Sequence, residues 1–223
     1  MTIRGLEFGE FSINDGNVVA DDQWNTDCLA FNLQALPSQS SIERIGGIQV
    51  EAAAALPGQN LVPTEALHIS VLNLVHSRSA MTIDEKMALW DGHAAGWISG
   101  IDTVMAGRGP IDVAFDRLVV GPSSIMVAAS TSEAIIDLRN ALIDALALDV
   151  KAPELCHISI MRFTRNARID AARQAISKID ARFVARIDKV RLMREYVYPS
   201  LKVETLREYM TASSASLAMF SPG

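Results

Sequence analysis

A chain of 223 residues, 49% of them apolar and 21% charged, has the make-up of a globular protein and the length for one sizeable core or two small lobes sharing one. Its net charge of −6 argues against a protein that coats nucleic acid, and no apolar run approaches the roughly 18 residues that a membrane-spanning helix needs. The two cysteines, Cys28 and Cys156, form no CxxC pair, so zinc and redox motifs are absent; both are expected to be reduced and buried.

Residues 1–27 are polar and Asp-rich and read as an irregular arm, with one short strand near 17–20. The first residues lack a basic cap followed by an apolar stretch, so no secretory signal is expected and the location predicted is cytoplasmic. Residues 28–35 (CLAFNLQA) predict a strand broken by Pro37, and Ser40 or Ser41 is the expected cap of a helix to about Leu56, closed by Pro57-Gly58. Residues 66–75 (ALHISVLNLV) predict a buried strand. Thr82 and Glu85 have capping-box spacing and open a helix to about Met105, whose face Met87, Trp90, Ala94, Trp97, Ile101 and Met105 reads as core. Runs at 111–120 and 124–130 predict a hairpin around Gly121-Pro122, followed by a helix from Thr131 or Ser132 to about Leu148. A strand over 154–163, a helix over 168–183 and strands over 184–197 and 200–208 complete the domain, placed at 28–209. The uncharged tail 210–223 reads as loosely held, with Leu217, Met219 and Phe220 able to dock. Charge is uneven: residues 151–209 hold 13 basic and 7 acidic side chains, which suits collection of an anion as well as it suits ordinary solvated faces.

Two tetrapeptides carry the chemistry. His68-Ile69-Ser70-Val71 and His157-Ile158-Ser159-Ile160 share one pattern: histidine, apolar, hydroxyl, apolar. A given histidine meets that pattern by chance roughly 3% of the time at ordinary residue usage, so two occurrences among four histidines exceed what chance supplies. Side chains alternate along a strand, so each segment offers an imidazole and a hydroxyl to one surface and anchors itself with two aliphatics on the other. Two such strands side by side bring together a neutral imidazole that can take a proton from water, a protonated one that can give a proton to a leaving oxygen, and two hydroxyls for the non-bridging oxygens of a phosphodiester.

The motif pair, 89 positions apart, resembles the two-histidine (2H) phosphoesterase superfamily, which includes 2′,5′ RNA ligase-like proteins and cyclic nucleotide phosphodiesterases. The resemblance extends in element order over about residues 28–209. It implies a bilobal α+β fold, with two antiparallel sheets, helices outside and pseudo-two-fold symmetry about a central cleft. It also implies His68 and His157 as the acid–base pair, Ser70 and Ser159 as phosphate-binding hydroxyls, and metal-independent opening of a 2′,3′-cyclic phosphate on a nucleotide or RNA end, with no cofactor. Serine stands at both hydroxyl positions where threonine is frequent in that group, which bears on rate rather than on reaction type. Two other readings remain open: a module of the same fold that binds a nucleotide or RNA end without turnover, and a protein-interaction domain.

Tyr196, Tyr198 and Phe163 are the candidates for stacking on a base, Phe163 because it shares a face with His157 if the strand stays regular, with core packing an equal expectation for it. Arg162 would face away in a regular strand, and Arg165 reads as a solvated rim residue. Cys156 and His157, being adjacent in a strand, point apart and form no dyad. His76 reads as a surface loop residue, with a place at the cleft rim as the alternative, and His93 as a structural residue of its helix. No HExxH, acidic cluster or phosphate-loop sequence appears, so no metal site is expected.

Overall fold

A computed structural model describes residues 17–130, 132–153 and 155–211. The first 16 residues of the arm, the candidate cap Thr131 and the tail residues Leu217, Met219 and Phe220 lie outside it. Among the described residues every strand pairing is antiparallel. In chain order the elements are β1 (Asn17–Val18), β2 (Asp27–Pro37), α1 (Gln39–Ala55), β3 (Asn60–Leu61), β4 (Ile69–Val75), α2 (Ile83–Met105), β5 (Ile111–Phe115), β6 (Arg117–Val120), β7 (Ser124–Ala129), α3 (Glu133–Ala145), β8 (Cys156–Arg162), β9 (Ala167–Arg168), α4 (Ile169–Ile176), β10 (Phe183–Val197) and β11 (Lys202–Met210).

Two sheets share the core. One runs β11-β10-β2-β4, with β5 paired to the start of β10; the other runs β3-β8-β7-β6, and β1 pairs with β9 apart from both. The predicted run 111–120 is therefore split at Asp116: β5 joins the first sheet and β6 forms the expected hairpin with β7 in the second. β2 is longer than predicted because Pro37 ends the strand within the ladder opposite Ile187 rather than before it; a terminal proline needs no N–H for pairing. The α1 cap is Ser38, whose hydroxyl accepts from Ser41 N–H, not Ser40 or Ser41. The Thr82–Glu85 capping box forms on α2. The α2 stripe is core as expected: Trp90, Trp97, Ile101 and Met105 are buried, and Trp90 stacks on Phe31 of β2 at 4.1 Å. α3 lies close against α2, where a Cβ on Gly100 would sit 2.6 Å from Leu146 Cδ2 and 3.2 Å from Ala145 O, so any larger residue there has to displace Leu146. α4 is shorter than its predicted 168–183, and β10 begins where the longer helix would have continued.

The motif strands are β4, an edge of the first sheet, and β8, interior to the second. Both carry a bulge at the same place. On β4, Gln34 pairs with Ser70 and Leu33 with Leu72, which leaves Val71 as the extra residue. On β8, Met126 pairs with Ser159 and Ile125 with Met161, which leaves Ile160 extra. A bulge shifts the alternation by one residue, so the residue three beyond each serine returns to the serine's face: Asn73 on β4 and Arg162 on β8 both line the cleft between the sheets. The two bulges are held by buried side chains from helices. Arg139 of α3 donates to Ser70 O (2.6 Å) and Val71 O (3.1 Å), and Gln49 of α1 donates to Ile160 O (2.9 Å).

Candidate active site

His68 sits one residue before β4 and His157 is the second residue of β8; both line a cleft of about 410 Å³, as do Ser70 and Ser159. That volume is in the range of small-molecule sites. Each imidazole is tied to the main chain two residues upstream. His68 Nδ1 lies 2.8 Å from Ala66 O, and His157 hydrogen-bonds the backbone of Leu155. A carbonyl only accepts, so in His68 the proton sits on Nδ1 and Nε2 of the neutral ring is an acceptor. Ser70 Oγ is 3.3 Å from that Nε2 and donates to it.

Burial holds both rings neutral. The His68 pKa falls to about 4 and that of His157 to about 3, with desolvation the largest cause in each. Nearby cations add to this: Arg191 and Arg162 act on His68, and Arg139, Arg162 and His68 itself act on His157. The two imidazoles are thus close enough to sense each other's charge. An anion in the cleft would offset the cations and raise both.

Arg139 sits beneath the pair, with 1% of its surface exposed. Besides the two β4 carbonyls it donates to Pro153 O (2.5 Å) and Leu155 O (3.2 Å), on the segment leading into β8. One guanidinium therefore cross-links the main chains that carry the two histidines. These acceptors are neutral main-chain carbonyls, so Arg139 leaves a positive charge in the cleft floor. Its signal was readable: Ile135, Leu138, Arg139 and Leu142 form the buried stripe of α3, with a charged residue among the aliphatics.

The expectation that Arg162 faces away is overturned by the β8 bulge. Its Nη2 donates to Ser159 Oγ (3.3 Å) and its Nη1 to Tyr198 Oη (3.1 Å) and to Asp21 (3.3 Å). The same bulge removes Phe163 from the His157 face: it is 3% exposed and packs in the core. Tyr196 also lies outside the cleft lining, its hydroxyl bonded to Glu204 at 2.6 Å across β10 and β11. Of the three aromatic candidates Tyr198 alone lines the cleft. His76 lines it too, its Nδ1 accepting from Arg78 N–H, while His93 stacks on Trp97 along α2 and Arg165 is exposed, outside the lining. Cys156 is buried and Cys28 half-buried, both as free thiols. Asp21, in the arm, was not singled out by its sequence; its buried carboxylate reaches both Arg162 and Arg78. Among the described residues no three His, Cys, Asp or Glu side chains group as metal ligands, and no described helix is long and apolar enough to cross a membrane.

The architecture is that of the 2H phosphoesterases. E. coli LigT in its apo form matches with a TM-score of 0.58 and 13% identity over 84% of this chain and 100% of that one. LigT complexed with ATP matches with 0.57 and 12% over 84% and 100%, and TT0787 of Thermus thermophilus with 0.56 and 11% over 83% and 99%. No family model matches the sequence, and no curated protein does. The chain has the 2H phosphoesterase fold, in two antiparallel sheets with helices outside.

Proposed function

We propose that this protein is a phosphodiesterase that opens a 2′,3′-cyclic phosphate on a nucleotide or RNA end, with His68 and His157 as its acid–base pair. The observation that carries the reading is the convergence, in one cleft, of two backbone-anchored imidazoles, two serine hydroxyls and the Arg162 guanidinium. LigT has been crystallised with ATP and with 3′-AMP, which is compatible with a nucleotide in such a cleft.

In the reaction, one neutral imidazole takes a proton from water as its oxygen bonds to phosphorus. The other, protonated when the anion binds, gives its proton to the departing ribose oxygen as the P–O bond breaks. The product is a phosphomonoester, and the histidines end with their protonation exchanged. Ser159 and Arg162 donate to the non-bridging oxygens, where negative charge accumulates, and Ser70 joins them when its proton turns from His68 Nε2 to the phosphate. Incubation with 2′,3′-cyclic nucleotides and a short RNA ending in a cyclic phosphate, with EDTA present, tests the reading; no ring-opened product from any of them would overturn it. The rival reading, binding without turnover, has less support because binding needs no paired acid and base.

Two further results are expected. Arg162→Gln lowers kcat about 100-fold, the usual cost of one transition-state donor; unchanged kcat would remove Arg162 from the phosphate site. The pH profiles of kcat and kcat/KM separate. With pKa values depressed to about 4 and about 3, the free enzyme loses its proton-donating imidazole as pH rises above that range, so kcat/KM falls from there upward. Bound phosphate raises the pKa of the donor, so the alkaline limb of kcat lies at higher pH. Coincident limbs would count against this electrostatic account.

A further inference from the structure

Resting on that reading, we infer that Arg78, Arg162 and Tyr198 form a second anion position in the cleft, which takes a phosphate group additional to the reacting one: the 5′-phosphate of the same nucleotide, or the next phosphodiester of an RNA.

Arg162 is a bridge. One end of its guanidinium meets Ser159 at the reacting position, and the other meets Tyr198 Oη. Arg78 Nη2 donates to the same oxygen at 2.8 Å, so Ser159, Arg162, Tyr198 and Arg78 are joined in one chain of hydrogen bonds along the cleft lining. Tyr198 Oη accepts from both arginines, which leaves its own proton to be donated elsewhere. The Arg78 and Arg162 guanidinium carbons lie 4.9 and 5.4 Å from its ring centroid, and the hydroxyl keeps a proton to offer a ligand.

The charge is unbalanced in the same direction. Among the described residues the carboxylate paired with these arginines is Asp21, 1% exposed, at 3.3 Å from Arg162 and 3.6 Å from Arg78. It fixes two guanidinia and neutralises one. The Arg78 side chain remains 35% exposed, where an incoming oxyanion can reach it. Glu195 also lines the cleft and acts on Arg162, but desolvation raises its pKa and Lys86 stands beside it as a second cation; the position itself, two fixed guanidinia and a hydroxyl proton, is built of donors, the chemistry that binds phosphate. A cyclic mononucleoside phosphate has no group to fill it.

The test compares adenosine 2′,3′-cyclic phosphate, the same compound bearing a 5′-phosphate, and a dinucleotide ending in a 2′,3′-cyclic phosphate, on wild type, Arg78→Gln and Arg78→Lys. The value of kcat/KM is expected to be about tenfold higher for one or both of the substrates with a second phosphate, chiefly through KM. In Arg78→Gln that ratio falls to near one, and Arg78→Lys recovers part of it. Preference for the 5′-phosphate marks a free nucleotide; preference for the dinucleotide marks an RNA end. Equal efficiency on all three in wild type, or an Arg78→Gln loss that is the same on all three, overturns the proposal. If no substrate is opened, the catalytic reading falls and the anion position is judged by calorimetry. Adenosine 3′,5′-bisphosphate should then bind about tenfold more tightly than 3′-AMP in wild type and equally in Arg78→Gln; equal binding in wild type overturns it.

Discussion

His68→Ala and His157→Ala each lower kcat for cyclic phosphate opening by two to four orders of magnitude, the range for loss of a general acid or base. The double variant falls little further than either single one, because proton removal and proton donation belong to one step and act as a unit. On the proposed reading KM moves far less, since Ser70, Ser159 and Arg162 would still hold the phosphate. Both rings are half-buried in the cleft lining and are not part of the apolar core, so alanine is expected to leave the fold intact; circular dichroism on the same samples checks this. Turnover retained in both single variants would mean that the imidazoles are structural.

Arg139→Met destabilises the protein by about 4 kcal/mol, because it withdraws the guanidinium from four main-chain carbonyls in the cleft floor, of which Leu155 keeps its bond to His157, and buried acceptors left bare cost about 1–3 kcal/mol each before relaxation. For a chain of this size that is a fall in Tm of about 8–16 °C. Arg139→Lys keeps the charge but not the planar fork, so it spans the carbonyls of β4 and of the segment before β8 poorly and recovers part of the loss. Activity of either variant, measured well below its Tm, should also drop, because Leu155 is held by Arg139 and in turn holds His157. A Tm within about 1 °C of wild type would show that the cross-link between the motif strands carries little of the fold.

The two tetrapeptides were legible because their information is local: an imidazole and a hydroxyl two residues apart on a strand share a face whatever the strand pairs with. The α2 stripe and its Thr82–Glu85 box were legible for the same reason, since helical spacing and capping depend on neighbours in the chain. Arg162 turns toward the cleft and Phe163 turns into the core for one shared cause. The expectation for both assumed an unbroken period of two, and the Ile160 bulge is set by pairing with β7 and by the bond from Gln49, neither of which is local to the motif.

The chain by itself determined the pairing of His68 with Ser70 and of His157 with Ser159, the apolar anchors behind them and the segments that become helices, all consequences of spacing along one strand or one helix. Only the tertiary structure decided that the two motifs face one cleft, that Asn73 and Arg162 return to it three residues beyond each serine, and that Arg139 and Asp21 hold its floor and rim. Those features depend on which strands pair and where the register slips, and register is settled by burial of the sheet faces against one another rather than by any residue acting alone.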